Sequence, residues 1–236
     1  MVIETQPIVR RKLSDEVFDR LKALITSGEL QPGEMVPSER ELMERFQVGR
    51  PAIREAMQAL SNIGLLTITH GERSKVRQIT ARSIIQQVDV AAHVMLATSP
   101  ASLDHLKHAR LFFERGMVRE AALKATAETI AKLRATIELQ RESLGDSGAF
   151  IATDMQFHRQ IAAISGNPLF EGVSEAMLNW LKEYHTEMLI WTGKETATLT
   201  EHADIVRQIE RHDPDAAETA LVHHLERTAE LYSRPA

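Results

Sequence analysis

The stretch Pro37-Ser38-Glu39-Arg40-Glu41-Leu42, followed by Val48-Gly49-Arg50-Pro51-Ala52-Ile53-Arg54-Glu55-Ala56, Leu60 and Gly64-Leu65-Leu66, decides how the first part of the chain folds. Ser38-Glu39-Arg40-Glu41 has capping-box spacing, a hydroxyl at the N-cap and a carboxylate three residues on. It predicts a short helix through Phe46, and Gln47-Val48-Gly49 is then a tight connection. Pro51 fits a helix only in its first turn and opens a second helix, which runs to about Ile63 and stops at Gly64. Upstream, Ser14 is read as the N-cap of an earlier helix. Val17, Phe18, Leu21, Leu24 and Ile25 share one face of it. Downstream, Leu65 to Thr69 and Lys75 to Arg77 read as strands joined by a turn at His70-Gly71-Glu72. Helix, helix, turn, helix and hairpin, in that order, describe a winged helix-turn-helix over residues 1–78.

Beyond Thr80 only helical periods appear, separated at Thr98-Ser99-Pro100, Gly145 to Gly148, Ser165-Gly166-Asn167-Pro168 and Asp213-Pro214. Asp213 has the place of an N-cap with Pro214 at the first helical position. Six or seven helices predict a compact all-α bundle over residues 79–236, entered through a linker at about 79–88. The fold class is therefore mainly α, with one small β-hairpin.

Composition narrows the function. The chain has 236 residues, 43% apolar and 26% charged, and no cysteine. Thiolate metal sites, iron–sulfur clusters, disulfide scaffolds and cysteine nucleophiles are excluded. No apolar run suffices for a membrane span, and Met1 to Lys12 lack the apolar region of a secretion signal, so a cytoplasmic protein is expected. Residues 1–78 carry net +1 and the remainder net −6. Any nucleic-acid binding must then rest on a few placed cations of the first part.

Arg50 and Arg54 stand four apart at the start of the second helix of the helix-turn-helix unit, the end that meets base edges in the major groove. Arginine there takes guanine O6 and N7 bidentately. Arg40, in the first turn of the preceding helix, is placed for a phosphate or the adjacent groove. Gly71 lets the hairpin tip approach the minor groove. Arg10, Arg11 and Lys12 add cations from an arm. The plain alternative is a solvated face pairing with Glu41 and Glu55. The quoted stretch closely resembles the DNA-binding domain of GntR-family regulators over roughly residues 8–78. The resemblance implies double-stranded operator DNA as partner, with Arg40, Arg50, Arg54 and Gly71 matching family contacts and His70 beside them.

In the second part, helical projection turns Asp154, His158, His202 and His224 inward from three helices, among Ile151, Phe157, Ile161, Ile205, Ile209 and Leu221. Unpaired buried polar groups cost about 1–3 kcal/mol each, and one shared metal ion satisfies all four. Core histidines bonded to carbonyls are the alternative. This pattern, with Phe157 beside His158, resembles the FCD sensor domains of the FadR branch of GntR regulators. The resemblance implies a divalent ion on these four residues; a nitrogen–oxygen set without thiolate suits zinc first, with nickel or manganese as alternatives. Arg110 is also turned inward, either to pair with Glu114 or, as the resemblance implies, to clamp a small carboxylate effector. Asn179, Trp180, Tyr184, His185 and Trp191 either line the same cavity or fill the core. The implied protein is a homodimeric repressor of a catabolic operon, released by a sugar acid or aromatic acid. A metal hydrolase and an architectural DNA-binding protein without an effector remain the other readings.

Overall fold

The computed structural model describes residues 11–69, 72–98, 101–185 and 195–230, with the side chains of residues 82, 86, 87, 183–185 and 228–230 left aside. Its elements, in order, are α1 (Leu13–Thr26), α2 (Glu39–Phe46), α3 (Arg50–Asn62), β1 (Leu66–Thr67), β2 (Lys75–Val76), α4 (Ala81–Thr98), α5 (Ser102–Lys124), α6 (Ala127–Glu142), α7 (Ser147–Ile164), α8 (Pro168–His185), α9 (Glu195–Glu210) and α10 (Pro214–Glu230). They fall into two compact units, Met1–Ser83 and Ile84–Ala236.

The first unit is a three-helix knot of apolar stripes closed by a short hairpin. Val17 and Leu21 of α1, Leu42 of α2, and Ile53, Ala56 and Leu60 of α3 are buried together with Val36, Leu66 and Val76. Each large aliphatic side chain removed from water contributes about 1.5–3 kcal/mol. The capping box forms as the spacing requires: Glu41 N donates to Ser38 Oγ at 3.3 Å and Ser38 N donates to Glu41 Oε2 at 2.7 Å. Gln47 ends α2 in the left-handed region, at φ 56°, which sets up the sharp turn into α3. Two expectations change. Lys12, not Ser14, is the N-cap of α1, and Ser14 is buried as the second helical residue, its hydroxyl without a hydrogen-bond partner among the described residues. The strands are shorter than read, with Leu66 opposite Val76, and a bridge from Met35 to Lys75 lengthens the pairing.

The second unit is a helical bundle. Helix α5 packs most extensively on α10 and also touches α7, α8 and α9, while α6 closes over α7 and α9. Fully buried alanines, Ala121 and Ala122 on α5 and Ala217 on α10, leave room for close helix approach. Leu133, Phe157, Ile205, Ile209 and Leu221 fill the centre. The breaks act as caps. Asp146 accepts from Ala149 N at 3.0 Å, Asn167 Oδ1 from Leu169 N at 3.0 Å, and Asp213 Oδ1 from Ala216 N at 3.0 Å. Because Asp146 is the cap, α7 begins at Ser147, a turn inside the segment read as a break. The stretch read as a linker is helical from Ala81, where Thr80 and Ser83 exchange side-chain to backbone hydrogen bonds at 3.0 and 3.1 Å.

Candidate metal centre and DNA-reading face

Three helices bring the four inward residues of the second unit to one point. Asp154 and His158 come from successive turns of α7, His202 from α9 and His224 from α10, and all are buried. One donor atom from each lies within 4.8 Å of the other three. Phe157, itself part of the core, stacks on the His202 ring, with centroids 4.0 Å apart and an interplanar angle of 16°.

The imidazole tautomers follow from their neighbours. His158 Nδ1 donates to Glu114 Oε2 at 2.6 Å, His202 Nδ1 to Gln140 Oε1 at 2.9 Å, and His224 Nδ1 to Glu201 Oε2 at 2.8 Å. Carboxylate and amide oxygens only accept, so each Nδ1 carries the proton and each Nε2 keeps its lone pair. Those lone pairs converge. His202 Nε2 and His224 Nε2 are 3.4 Å apart, and His202 Nε2 is 3.4 Å from Asp154 Oδ1. The buried His158 Nε2 has no hydrogen-bond partner among the described residues; Asp154 Oδ2 is 3.9 Å away. Facing lone pairs beside a carboxylate repel unless a proton or a metal cation stands between them. The charges favour the cation. Burial, then the neighbouring His224, hold His202 well below its ordinary pKa despite Asp154, and burial likewise lowers His224 against the pull of Glu201. Burial alone would raise Asp154, but the imidazoles and Arg110 outweigh it and keep the carboxylate ionised. Donors held at about 2.0–2.2 Å from one ion lie within roughly 4.4 Å of each other, so the observed spread needs only a small adjustment. The residues fit a divalent metal.

The supporting residues were the part missed in the sequence. Gln140 bridges two donors, since its Nε2 also donates to Asp154 Oδ1 at 3.2 Å. Glu201, projected about 100° off the inward stripe of α9, nonetheless reaches His224 and is held by Arg227, whose Nη2 donates to Glu201 Oε2 at 2.6 Å. Burial would raise the Glu201 pKa, but His224 and Arg227 bring it down to about 2. Arg110 is buried on α5 and its Nε donates to Glu114 Oε1 at 2.6 Å, the pair that the sequence offered as the simpler reading. Burial of Glu114 is likewise outweighed, by Arg110 and then His158, leaving its pKa at about 2. Trp180 is committed to packing beside Leu106 and Leu181, and its Nε1 donates to Asp89 Oδ1 at 2.7 Å. Asn179 faces solvent. The side chains of Tyr184 and His185, and Trp191 altogether, lie outside the described residues.

In the first unit Arg50 is the first residue of α3 and Arg54 follows one turn on, both side chains more than half exposed. Their partner is Glu39, at 3.6 and 3.1 Å, rather than Glu41 or Glu55. Glu41 instead takes Arg73 at 2.8 Å, and Glu55 takes Lys12 at 3.7 Å. Arg40 pairs with Glu44 at 3.2 Å. Exposed pairs of this kind contribute about 0–1 kcal/mol and are readily exchanged for phosphates. Arg11 is engaged by Asp19 and Glu16. His70, Gly71 and Arg10 lie outside the described residues.

A helix-turn-helix with arginines at the head of its second helix, joined to a helical bundle with a buried Asp/His cluster, defines a class of bacterial DNA-binding regulator. Residues 13–76 match the bacterial regulatory proteins of the gntR family and residues 105–227 match the FCD domain, and the chain belongs to the GntR family with an FCD domain. It is 41% identical over 228 residues to the HTH-type transcriptional repressor NanR of Enterobacter sp. (strain 638), covering 94% of this chain and 86% of that protein. Identity to NanR of Escherichia coli (strain K12) is 40% over 226 residues, covering 94% and 85%. Among solved structures, Streptococcus agalactiae GntR shares the fold at a TM-score of 0.65 and 22% identity, over 92% of this chain and 99% of that one. E. coli McbR/YncC does so at 0.53 and 17%, over 94% and 98%. These relatives are transcription regulators, not enzymes. No helix among the described residues is long and apolar enough to cross a membrane.

Proposed function

We propose that the chain is a metal-containing, effector-responsive repressor that binds operator DNA as a homodimer. The observation that carries the sensor reading is the convergence of three Nε2 lone pairs and the Asp154 carboxylate on one buried point. Asp154, His158, His202 and His224 hold a divalent ion there, zinc first, with nickel or manganese as alternatives. When bound, it supplies a cationic anchor with coordination positions open to water or an effector oxygen. Arg110, whose charge is felt at Asp154, His202 and His224, receives the carboxylate of a small organic acid. Resemblance to the sialate-utilisation repressor makes sialic acid the first acid to test, ahead of other sugar, aromatic and citric-cycle acids.

On DNA, Arg50 and Arg54 read base edges, Arg40 a phosphate, and His70 and Gly71 at the hairpin tip the adjacent groove. One recognition helix covers a half-site, so a two-fold pair of chains matches a palindromic operator. The domains run 1–78 for DNA and 79–236 for sensing and dimerisation. An acid changes DNA affinity only by its different affinity for the two arrangements, typically about 1–3 kcal/mol of coupling. The test is thermal unfolding of metal-loaded and chelated protein against these acids. A true effector at a hundredfold over its Kd adds about 2.7 kcal/mol of stability, and only in the loaded protein. No shift with any acid removes the sensor mechanism and leaves the DNA-binding assignment.

A further inference from the structure

Glu114 has two claimants. Its Oε1 accepts from Arg110 Nε at 2.6 Å and its Oε2 accepts from His158 Nδ1 at 2.6 Å, with all three side chains buried. His202 leans instead on the neutral amide of Gln140, while His224 leans on Glu201, a carboxylate that Arg227 also holds. We propose that Glu114 is a positioning residue of the metal centre that couples the charge of Arg110 to the strength of His158 as a ligand. The inference rests on the metal-centre reading above.

A carboxylate that accepts the Nδ1–H of a ligating imidazole fixes the ring and raises the basicity of Nε2. A guanidinium on the opposite oxygen draws on the same negative charge. Arg110 and His158 therefore divide one carboxylate between them. An anion that takes up the guanidinium leaves more of Glu114 to His158, so Nε2 becomes the better donor. Linkage makes the effect reciprocal: the filled centre holds the anion more tightly.

The test is a double-mutant cycle on Zn²⁺ affinity, read in the full chain by competition with a chromophoric chelator. Glu114→Gln keeps an oxygen for Nδ1–H and removes the charge. It is expected to weaken Zn²⁺ binding about 10–100-fold and to shift the visible absorption of the Co²⁺-loaded protein. Arg110→Gln is expected to tighten Zn²⁺ several-fold when Glu114 is present and to have little effect in the Glu114→Gln background. Should Glu114→Gln fail to fold by circular dichroism, Glu114→Asp, which withdraws the oxygen from Nδ1, must weaken Zn²⁺ in its place. Affinity unchanged by the Glu114 variant, or an Arg110→Gln effect equal in both backgrounds, overturns the coupling. A wild-type chain that takes up no Zn²⁺ overturns the metal-centre reading and this inference with it.

Discussion

On the proposed function, Arg50 and His224 stand for the two jobs of the chain at the scale of single residues. Arg50 heads α3 with its side chain more than half exposed and paired with Glu39. A bidentate arginine–guanine contact carries about 1–3 kcal/mol of discrimination. Arg50→Ala is therefore expected to abolish specific operator binding in a mobility-shift assay while metal content stays at the wild-type level; loss of both signals misfolding instead. His224→Ala removes one of four donors, and elemental analysis should show metal content well below wild type. Full retention would take His224 out of the ligand set. The inward placement of these four residues was legible because residues four apart share a helix face and an imidazole amid Ile205, Ile209 and Leu221 is out of place there. Gln140 and Glu201 were not. Their role depends on which helices become neighbours: Gln140 serves His202, 62 positions away, from another helix. A single-helix projection cannot find such a pairing; by angle alone Glu201 lies off the inward stripe of α9.

At the scale of elements, caps and breaks were the readable signals. The Ser38–Glu41 box starts α2 where the spacing put it, and Asp213-Pro214 opens α10. Ser38→Ala removes the acceptor for Glu41 N and the hydroxyl that donates to Glu41 Oε2, and leaves the Glu41 carboxylate to the backbone N–H of residue 38 and to Arg73. The expected cost is about 1 kcal/mol of stability in the first unit, read as a lower urea midpoint at unchanged slope. No change would mean that packing of Leu42 alone sets the helix start. The failures share a cause. Ser14 has capping chemistry but is pulled into the buried face of α1 by Val17 and Leu21, so tertiary packing overrides the local preference. Gly148 reads as a breaker, yet Asp146 caps a helix that runs through it. Each hairpin strand is two residues long, too short for alternation to define its ends, and the Met35 bridge joins residues forty positions apart.

For the whole molecule, the buried cluster makes stability depend on pH in a stated direction. Folding lowers the pKa of His202 and His224 below 6.5, so as pH falls past that value the unfolded chain takes up protons that the folded chain refuses. Stability of the chelated protein is therefore full above about pH 6.5 and declines below it. Glu114 and Glu201, held at about 2 in the fold against an ordinary 4.5, add a second loss as pH falls from about 4.5 toward 2. Urea midpoints between pH 7.5 and about 2.5 check this, and a flat profile from 7.5 to 5 would contradict neutral buried imidazoles. Bound metal extends the range over which the fold persists, because the ion competes with protons for the same Nε2 atoms. The charge asymmetry that sequence reading used, a near-neutral first part and an acidic second, runs close to the division into two units.

The most direct measurement is a calorimetric titration of Zn²⁺ into the chelated full-length chain, repeated on Asp154→Ala. One saturable ion per chain, absent or greatly weakened in the variant, is the result predicted here. No saturable binding, or equal binding to both proteins, would contradict a metal centre built from Asp154, His158, His202 and His224.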